Sequence, residues 1–140
     1  GIGFIVRQTL VWHKTNPVPQ IFKVGYMSAA EFFTWATKSP GGKHTFNYQL
    51  GQKHNVFTYG LCQGNERTEH PTQKPLKLIK DVLQYHTKKD DLVLDPFCGS
   101  GTICVAAKEL GCNYSGFDSE QKYVNITNRR LHNTVAEMFR

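Results

Sequence analysis

No aspartate occurs before Asp81 in this 140-residue chain, and only Glu31, Glu66 and Glu69 are acidic ahead of it. Any motif led by an aspartate must therefore lie in the second half. No run approaches the ~18 apolar residues of a membrane-spanning helix, and the early stretch Gly1 to Val6 is far too short. No signal peptide is visible, although a chain opening on Gly rather than Met leaves room for an upstream piece. Nothing repeats at a solenoid period, and no segment is of low complexity. The four cysteines, at positions 62, 98, 104 and 112, form no close metal-type pair, so no metal site is expected. Free thiols in a cytoplasmic protein are the simpler reading. What remains is ordinary globular composition, 39% hydrophobic and 20% charged. At this length a chain buries roughly two-thirds of its unfolded surface, enough for a real core.

The positive charge is unevenly spread. Through Lys74 there are 8 basic and 3 acidic residues; beyond it there are 9 and 8, so nearly all of the net +6 lies in the first part. There it is interleaved with Trp12, Tyr26, Phe32, Phe33, Trp35, Phe46, Tyr48, Phe57 and Tyr59. Cations mixed with aromatics suit a nucleic-acid surface, although a solvated face carries the same composition.

The texture changes along the chain as well. Phe4 to Trp12 and Phe32 to Thr37 are rich in β-branched and aromatic residues and read as strands, separated by Pro17 and Pro19. Residues 38–69 read as a long loop, with Pro40-Gly41-Gly42, Gly51, Gly60 and Gly64. A loop of that length inside a compact domain is usually functional. From Pro75, apolar residues recur at helical spacing to about His86. Leu92-Val93-Leu94 reads as a buried strand, Thr102 to Leu110 as a helix ended by Gly111, and Tyr114 to Phe117 as a second strand. Ser119 is positioned to cap a third helix with a buried stripe of Val124, Thr127, Leu131, Val135 and Met138. Strand–helix–strand at this spacing predicts a βαβ unit, hence an α/β fold with parallel strands.

The chemistry concentrates in Asp95-Pro96-Phe97-Cys98-Gly99-Ser100-Gly101-Thr102, which follows a strand and opens a helix. Glycines there allow backbone to approach a ligand lying across the strand ends. No Gly-Lys-Ser/Thr follows, which excludes a P-loop, and the third glycine of a dinucleotide fingerprint is missing. Asp118 lies 19 residues after Gly99, close to the ~20 expected for a carboxylate on ribose hydroxyls. A nucleoside whose other end is not a pyrophosphate fits this pattern. S-adenosylmethionine (AdoMet) is one, with its ribose at Asp118, its carboxylate near Thr102 at the helix N-terminus, and its sulfonium near Asp95. A nicotinamide-type oxidoreductase is disfavoured by the absent glycine. A purely structural Gly-x-Gly turn is the bland alternative.

His70-Pro71-Thr72-Gln73-Lys74-Pro75, then Leu92 to Thr102, then Gly116-Phe117-Asp118 resemble the C-terminal part of the amino-group DNA methyltransferases, which act on adenine N6 or cytosine N4. The order of the two boxes resembles the circularly permuted β class. Thr9 to Pro17, containing Trp12 and Lys14, resembles the strand before that family's target-recognition region. The resemblance implies part of a Rossmann-like AdoMet-dependent methyltransferase sheet, with helices on both faces. It divides the chain into far-edge strands (1–37), a loop-rich DNA-recognition segment (38–69) and an AdoMet-binding βαβ portion (70–140). By this reading Asp95, Phe97, Gly99, Ser100, Gly101 and Thr102 form the cofactor loop, Asp118 stands where the family more often has Glu, and Thr72 and Lys74 close the methionine end. Double-stranded DNA is the expected partner, with Lys43 and Lys53 on its phosphates, joined by Lys14 and Arg67.

The family's catalytic Asp-Pro-Pro-Tyr-type box, whose aromatic stacks on a flipped base, has no counterpart here. Asn16-Pro17-Val18-Pro19 has no aromatic after its prolines, and Asp95-Pro96-Phe97 already belongs to the cofactor loop. No catalytic residue is therefore assigned. The strands expected between the two ends of the sheet are missing too, and a parallel sheet cannot leave such a gap. Three explanations stand: an upstream segment of a longer protein, a second chain (another protein or a homodimer mate), or rearranged edge strands. The alternative function is a catalytically inert AdoMet- or DNA-binding subunit that completes another chain.

Overall fold

The computed structural model describes residues 3–38 and 44–135. Lys43 and Met138, singled out above, lie outside the described residues. The chain divides into two compact units, Gly1–His44 with Tyr48–Leu61, and Thr45–Asn47 with Cys62–Arg140. The segment read as one DNA-recognition loop is thus shared between them.

The first unit is a three-stranded sheet. Strand β1 (Ile5–Lys14) lies in the middle, antiparallel to β2 (Ala30–Thr37) and parallel to β3 (Val56–Tyr59). β-branched and aromatic residues with period-two burial favour these strands, and β2 alternates exposed and half-buried positions along most of its length. The core is aromatic. Trp12 is only 2% exposed, and its indole N–H donates to the Tyr59 carbonyl at 2.8 Å. Leu10 and Phe57 are buried with it, and Phe33 packs on Phe57 with ring centroids 5.8 Å apart. Two asparagines tie down the flanking loops: the Asn16 side-chain oxygen accepts from the Leu61 N–H at 2.6 Å, and Asn55 donates to the Thr9 carbonyl at 3.1 Å. Strand β3 lies inside the stretch read from sequence as loop. Its four residues carry little pattern of their own, and pairing with β1 is what makes them a strand.

The second unit runs α1 (Leu76–His86), β4 (Leu92–Asp95), α2 (Thr102–Glu109), β5 (Asn113–Gly116) and α3 (Gln121–His132). Strands β4 and β5 pair in parallel from Leu92↔Asn113 to Asp95↔Gly116, which is the expected βαβ unit. Val93, Ala107, Leu110 and Cys112 form the core, with Leu83 of α1 and Ile103 of α2 packed against them. Leu92 and Leu94 are exposed on the opposite face of β4. Gly111, at φ +67°, takes the left-handed conformation that ends α2. Asn47 closes the far end of α1, where its side-chain amide donates to the carbonyls of Gln84 (2.6 Å) and Thr87 (2.7 Å).

Helix α3 differs from expectation in two ways. Glu120 rather than Ser119 is its N-cap residue and no side chain caps it, while the Glu120 N–H donates to the Asp118 carboxylate at 2.9 Å just ahead of the helix. A carboxylate near a helix N-terminus also gains from the helix dipole. The helix ends at His132, so Val135 is 82% exposed, and Ile126 is buried beside Thr127 instead.

Candidate cofactor site at the glycine turn

Two short motifs, 20 to 30 residues apart in sequence, meet in the second unit. The turn between β4 and α2 is closed by the Gly101 N–H donating to the Cys98 carbonyl at 2.6 Å. Gly99 and Gly101 stand at φ +51° and +73°, where any side chain is strained. Space forbids a side chain as well. A Cβ on Gly99 would lie 2.6 Å from His70 Nε2, and one on Gly101 would lie 2.5 Å from Thr127 Cγ2. The first of these contacts presses the histidine of the His-Pro-Thr-Gln-Lys-Pro box onto the glycine turn. A second link joins the same segments, since Thr102 Oγ1 donates to the Lys74 carbonyl at 3.2 Å.

Asp118 ties the turn to β5 and α3. One carboxylate oxygen accepts from the Gly99 N–H at 2.8 Å, and the other from the Glu120 N–H at 2.9 Å. These backbone bonds, to Glu120 foremost, hold its pKa below the usual carboxylate value, so Asp118 is a fixed anion at neutral pH. A carboxylate accepts about four hydrogen bonds, so acceptor capacity remains for an outside ligand. Asp95, at the end of β4, is buried, and that burial raises its pKa although it accepts from the Phe97 N–H at 3.2 Å. A buried carboxylate of this kind gains from a cation placed beside it. Phe97 itself is 86% exposed and offers an aromatic face at the turn.

The remaining predicted residues are placed less openly. Ser100 and Thr102 are buried, their hydroxyls 3.2 Å apart, and Arg130 donates to the Ser100 carbonyl (2.6 Å) and the Thr102 hydroxyl (3.0 Å). Their side chains are thus engaged within the protein. No side chain caps α2, so its first N–H groups suit an anion. Thr72 is exposed and Lys74 half-buried.

Several residues at the site carried no sequence assignment. Gln73 is only 3% exposed; its side-chain oxygen accepts from the Thr68 N–H (2.8 Å) and hydroxyl (2.7 Å), while its amide donates to the Glu66 carbonyl (2.7 Å). The Glu66 carboxylate in turn accepts from the Leu76 N–H at 2.6 Å and so starts α1. The His70 ring meets Tyr123 edge-on at 4.4 Å, and its enclosed Nδ1 has no hydrogen-bond partner among the described residues. Burial lowers the His70 pKa, outweighing the attraction of Asp118. The histidine directly before Pro-Thr-Gln-Lys-Pro was the available signal; nothing in the sequence marks Gln73 as buried.

The residues expected on DNA fall in both units, Lys14 and Lys53 in the first and Arg67 in the second. Lys14 is paired with Glu31 at 2.9 Å. Lys53 is exposed, its ammonium 5.4 Å from the centre of the Phe57 ring. Arg67 donates to the Pro71 carbonyl at 2.9 Å and lines a cleft of about 500 Å³ with Asn65, Thr68, Glu69, Arg129, Arg130 and Asn133.

The DNA methylase family of the N6/N4 type matches residues 1–129. The chain belongs to that family. Among curated relatives it is 38% identical over 145 aligned positions to the type II methyltransferase M.HinfI of Haemophilus influenzae, covering 94% of this chain and 40% of that one. It is 36% identical to M2.LlaDCHI of Lactococcus lactis subsp. cremoris, covering 93% and 52%. The chain thus spans about half the length of the curated relatives it matches. Of solved structures, the M1.HpyAVI–SAM complex matches with a TM-score of 0.84 at 38% identity, over 92% of this chain and 63% of that one. The cytosine-N4-specific PvuII DNA methyltransferase shares the fold at a TM-score of 0.69 and 21% identity, over 98% and 62%. The N6/N4 chain therefore has the Rossmann-like α/β fold of the methyltransferases. None of its described helices is long and apolar enough to cross a membrane.

Proposed function

We propose that this chain supplies the AdoMet pocket and part of the DNA-binding surface of an enzyme that methylates an exocyclic amino group of a DNA base, adenine N6 or cytosine N4. The observation that carries the reading is the seating of His70 on Gly99, with Thr102 bonded to the Lys74 carbonyl, which makes one site of two motifs. The donor set fits AdoMet. Asp118 offers an anionic acceptor to the ribose hydroxyls, the start of α2 offers backbone N–H groups to the methionine carboxylate, buried Asp95 answers the sulfonium, and Phe97 presents an apolar face. Thr72 and Lys74 close the methionine end. When bound, AdoMet supplies an electrophilic methyl group on a positively charged sulfur. The residues of this chain bind and orient it, and Asp95 and Asp118 keep negative charge where the cofactor is positive or hydroxylated.

The DNA surface, in this proposal, lies in residues 38–69, with Lys43, Lys53 and Arg67 on phosphates. Lys14 joins them only by exchanging Glu31 for a phosphate. The group that orients the base amine comes from outside these 140 residues, from an upstream segment or from a second chain. The curated relatives support this reading: they are type II methyltransferases of greater length.

Titration calorimetry with AdoMet tests the pocket. Asp118→Ala should weaken binding, because the ribose loses a hydrogen bond to a charged acceptor. Because Asp118 also holds the turn, the melting temperature of the variant is recorded alongside, and Asp118→Asn, which keeps one acceptor oxygen, should fall between. Unchanged affinity in Asp118→Ala removes this residue from the site. A second assay uses labelled AdoMet and mixed-sequence DNA: the 140-residue chain alone should transfer no methyl group, and reproducible turnover would mean that the catalytic residues lie within it.

A further inference from the structure

A cleft of about 500 Å³ lies in the unit that carries the glycine turn, and none of the residues assigned to AdoMet lines it. Three arginines, Arg67, Arg129 and Arg130, face a single carboxylate there, that of Glu69. The protein fixes two of its walls. On the loop side, the buried Gln73 holds Thr68 through two hydrogen bonds, and Arg67 Nη2 donates to the Pro71 carbonyl at 2.9 Å. On the helix side, Arg130 Nη1 donates to the Ser100 carbonyl at 2.6 Å and to the Thr102 hydroxyl at 3.0 Å. A cation at the end of a helix answers the helix dipole, which accounts for Arg129 and Arg130 in the last turn of α3. The dipole does not account for Arg67, which comes from another segment.

The unused donors narrow the ligand. Arg67 bonds through Nη2 alone and Arg130 through Nη1 alone, while the Arg129 side chain makes no hydrogen bond or ion pair among the described residues. A guanidinium carries five N–H donors in a planar fork suited to phosphate or carboxylate. Three such forks offer more donors than the two oxygens of one carboxylate can accept, whereas a phosphate ester brings three acceptor oxygens and a charge of about −2. Burial lowers the Arg130 pKa, so an anion beside it would offset the hydration it has lost. A bare phosphate would fill little of the cleft, whose volume is that of a site for a small organic ligand. The side-chain amides of Asn65 and Asn133 can both donate and accept, and Glu69 can accept from a sugar hydroxyl or a base amine.

We propose that this cleft is a nucleotide site, with Arg67, Arg129 and Arg130 on the phosphate and Asn65, Asn133 and Glu69 on the attached nucleoside. Two sources carry that group, a free mononucleotide and a nucleotide of a DNA chain. The site goes beyond the DNA surface proposed above, to which Arg67 alone of these arginines belongs.

The test follows the arginine Nε–H signals of the 140-residue chain by NMR as thymidine 5′-monophosphate, thymidine or inorganic phosphate is added. The mononucleotide should shift the Arg67 and Arg129 signals, inorganic phosphate should do so only at higher concentration, and thymidine should leave them in place. Arg129→Gln should weaken mononucleotide binding at least about tenfold, the scale of a lost hydrogen bond to a charged group. Arg129 is exposed, so the variant should melt with the wild type; the signal shifts need no variant at all. A mixed-sequence duplex assigns the source. If the site takes a DNA nucleotide, Arg129→Gln weakens duplex binding and flattens its salt slope by about 0.9, and the mononucleotide competes with the duplex. If the site takes a free nucleotide, duplex binding is the same in both proteins. Absence of shifts at Arg67 and Arg129 overturns the site, and so does unchanged mononucleotide affinity in Arg129→Gln. Equal binding of inorganic phosphate overturns it as well, since the nucleoside would then add nothing. Loss of the shifts in saturating AdoMet would make the cleft part of the cofactor pocket, and tighter binding of oligoglutamate would make it a seat for an acidic protein; either result overturns the proposal. Failure of the wild-type chain to bind duplex while the mononucleotide shifts both arginines overturns the DNA-binding reading and leaves the cleft standing.

Discussion

In the first unit, Trp12 reaches a carbonyl 47 residues away at Tyr59, and the sheet is assembled from strands that share no local motif. In the second, Gly99, Gly101 and Asp118 hold the critical turn within a βαβ segment whose strands are joined by a single helix. The same contrast runs through their surfaces. The β1–β2 loop presents Ile21, Phe22 and Tyr26 to solvent, while the buried glycine turn exposes mainly Phe97. A small-molecule pocket requires backbone at fixed, unusual angles, which only certain residues permit. A surface for a long polyanion requires only charge and reach, which many sequences supply. The first leaves a motif, and the second leaves a composition.

The largest expected effects are two reciprocal substitutions. Trp12→Ala removes a nearly fully buried indole with its hydrogen bond, and should cost about 3–5 kcal/mol of stability, as large-to-small changes of aromatic core residues do. Gly101→Ala puts a side chain at φ +73° against Thr127, and should cost about 2–4 kcal/mol from left-handed strain and overpacking together. Urea titration gives the totals, and hydrogen exchange read by mass spectrometry gives their location. Trp12→Ala should deprotect β1, β2 and β3, and Gly101→Ala the turn and α2. Deprotection spread evenly over both units in either variant would show that they unfold as one, and the contrast drawn above would fail.

The sequence makes the second unit readable for the same reason that Gly101→Ala is costly. Helix α1, strands β4 and β5 and helix α2 follow from apolar spacing and from glycines that only positive φ angles explain. Strand β3 was read as loop because Val56–Tyr59 is a strand only by pairing with β1, a partner that lies more than 40 residues earlier. Ser119 suits a cap by type, but the helix begins one residue later than that reading placed it, at Gln121 with Glu120 as N-cap, and Asp118 joins the Glu120 N–H to the Gly99 N–H instead. Gln73 carries no chemistry of its own, and only its three side-chain hydrogen bonds reveal that it holds the loop before α1. Of the residues proposed to contact DNA, charge arithmetic could nominate lysines; that Lys14 is already paired with Glu31 is a matter of register between β1 and β2.

A smaller effect is expected from acid. Burial lowers the His70 pKa in the folded chain below its ordinary 6.5, and Arg67, Lys122 and Lys74 push in the same direction while Asp118 opposes them. Between that lowered value and 6.5 the unfolded chain binds more protons, so stability rises with pH across this window and is lost as pH falls through it. His70→Phe keeps a ring between Gly99 and Tyr123 and removes the titration. The wild type should therefore lose more melting temperature than His70→Phe between pH 7 and pH 5.5. Parallel losses in the two proteins would mean that other groups set the acid response.

The smallest effect concerns the first unit's charge, and its sign of success is a slope rather than a stability. Lysines that touch phosphates displace counterions, so the logarithm of DNA affinity falls with the logarithm of salt by about 0.9 per phosphate neutralised. Changing Lys43 and Lys53 together to Ala should flatten that slope by nearly two units and weaken all sequences about equally. The change should leave AdoMet affinity untouched, since neither lysine belongs to the proposed glycine-turn pocket. Scattered charge on a solvated face predicts weak binding whose slope the double variant hardly alters. A salt series on wild type and variant separates the two. An unchanged slope would withdraw residues 38–69 from the DNA surface while the glycine-turn pocket stood, and that outcome would sharpen the contrast between a site that geometry encodes and a surface that charge merely permits.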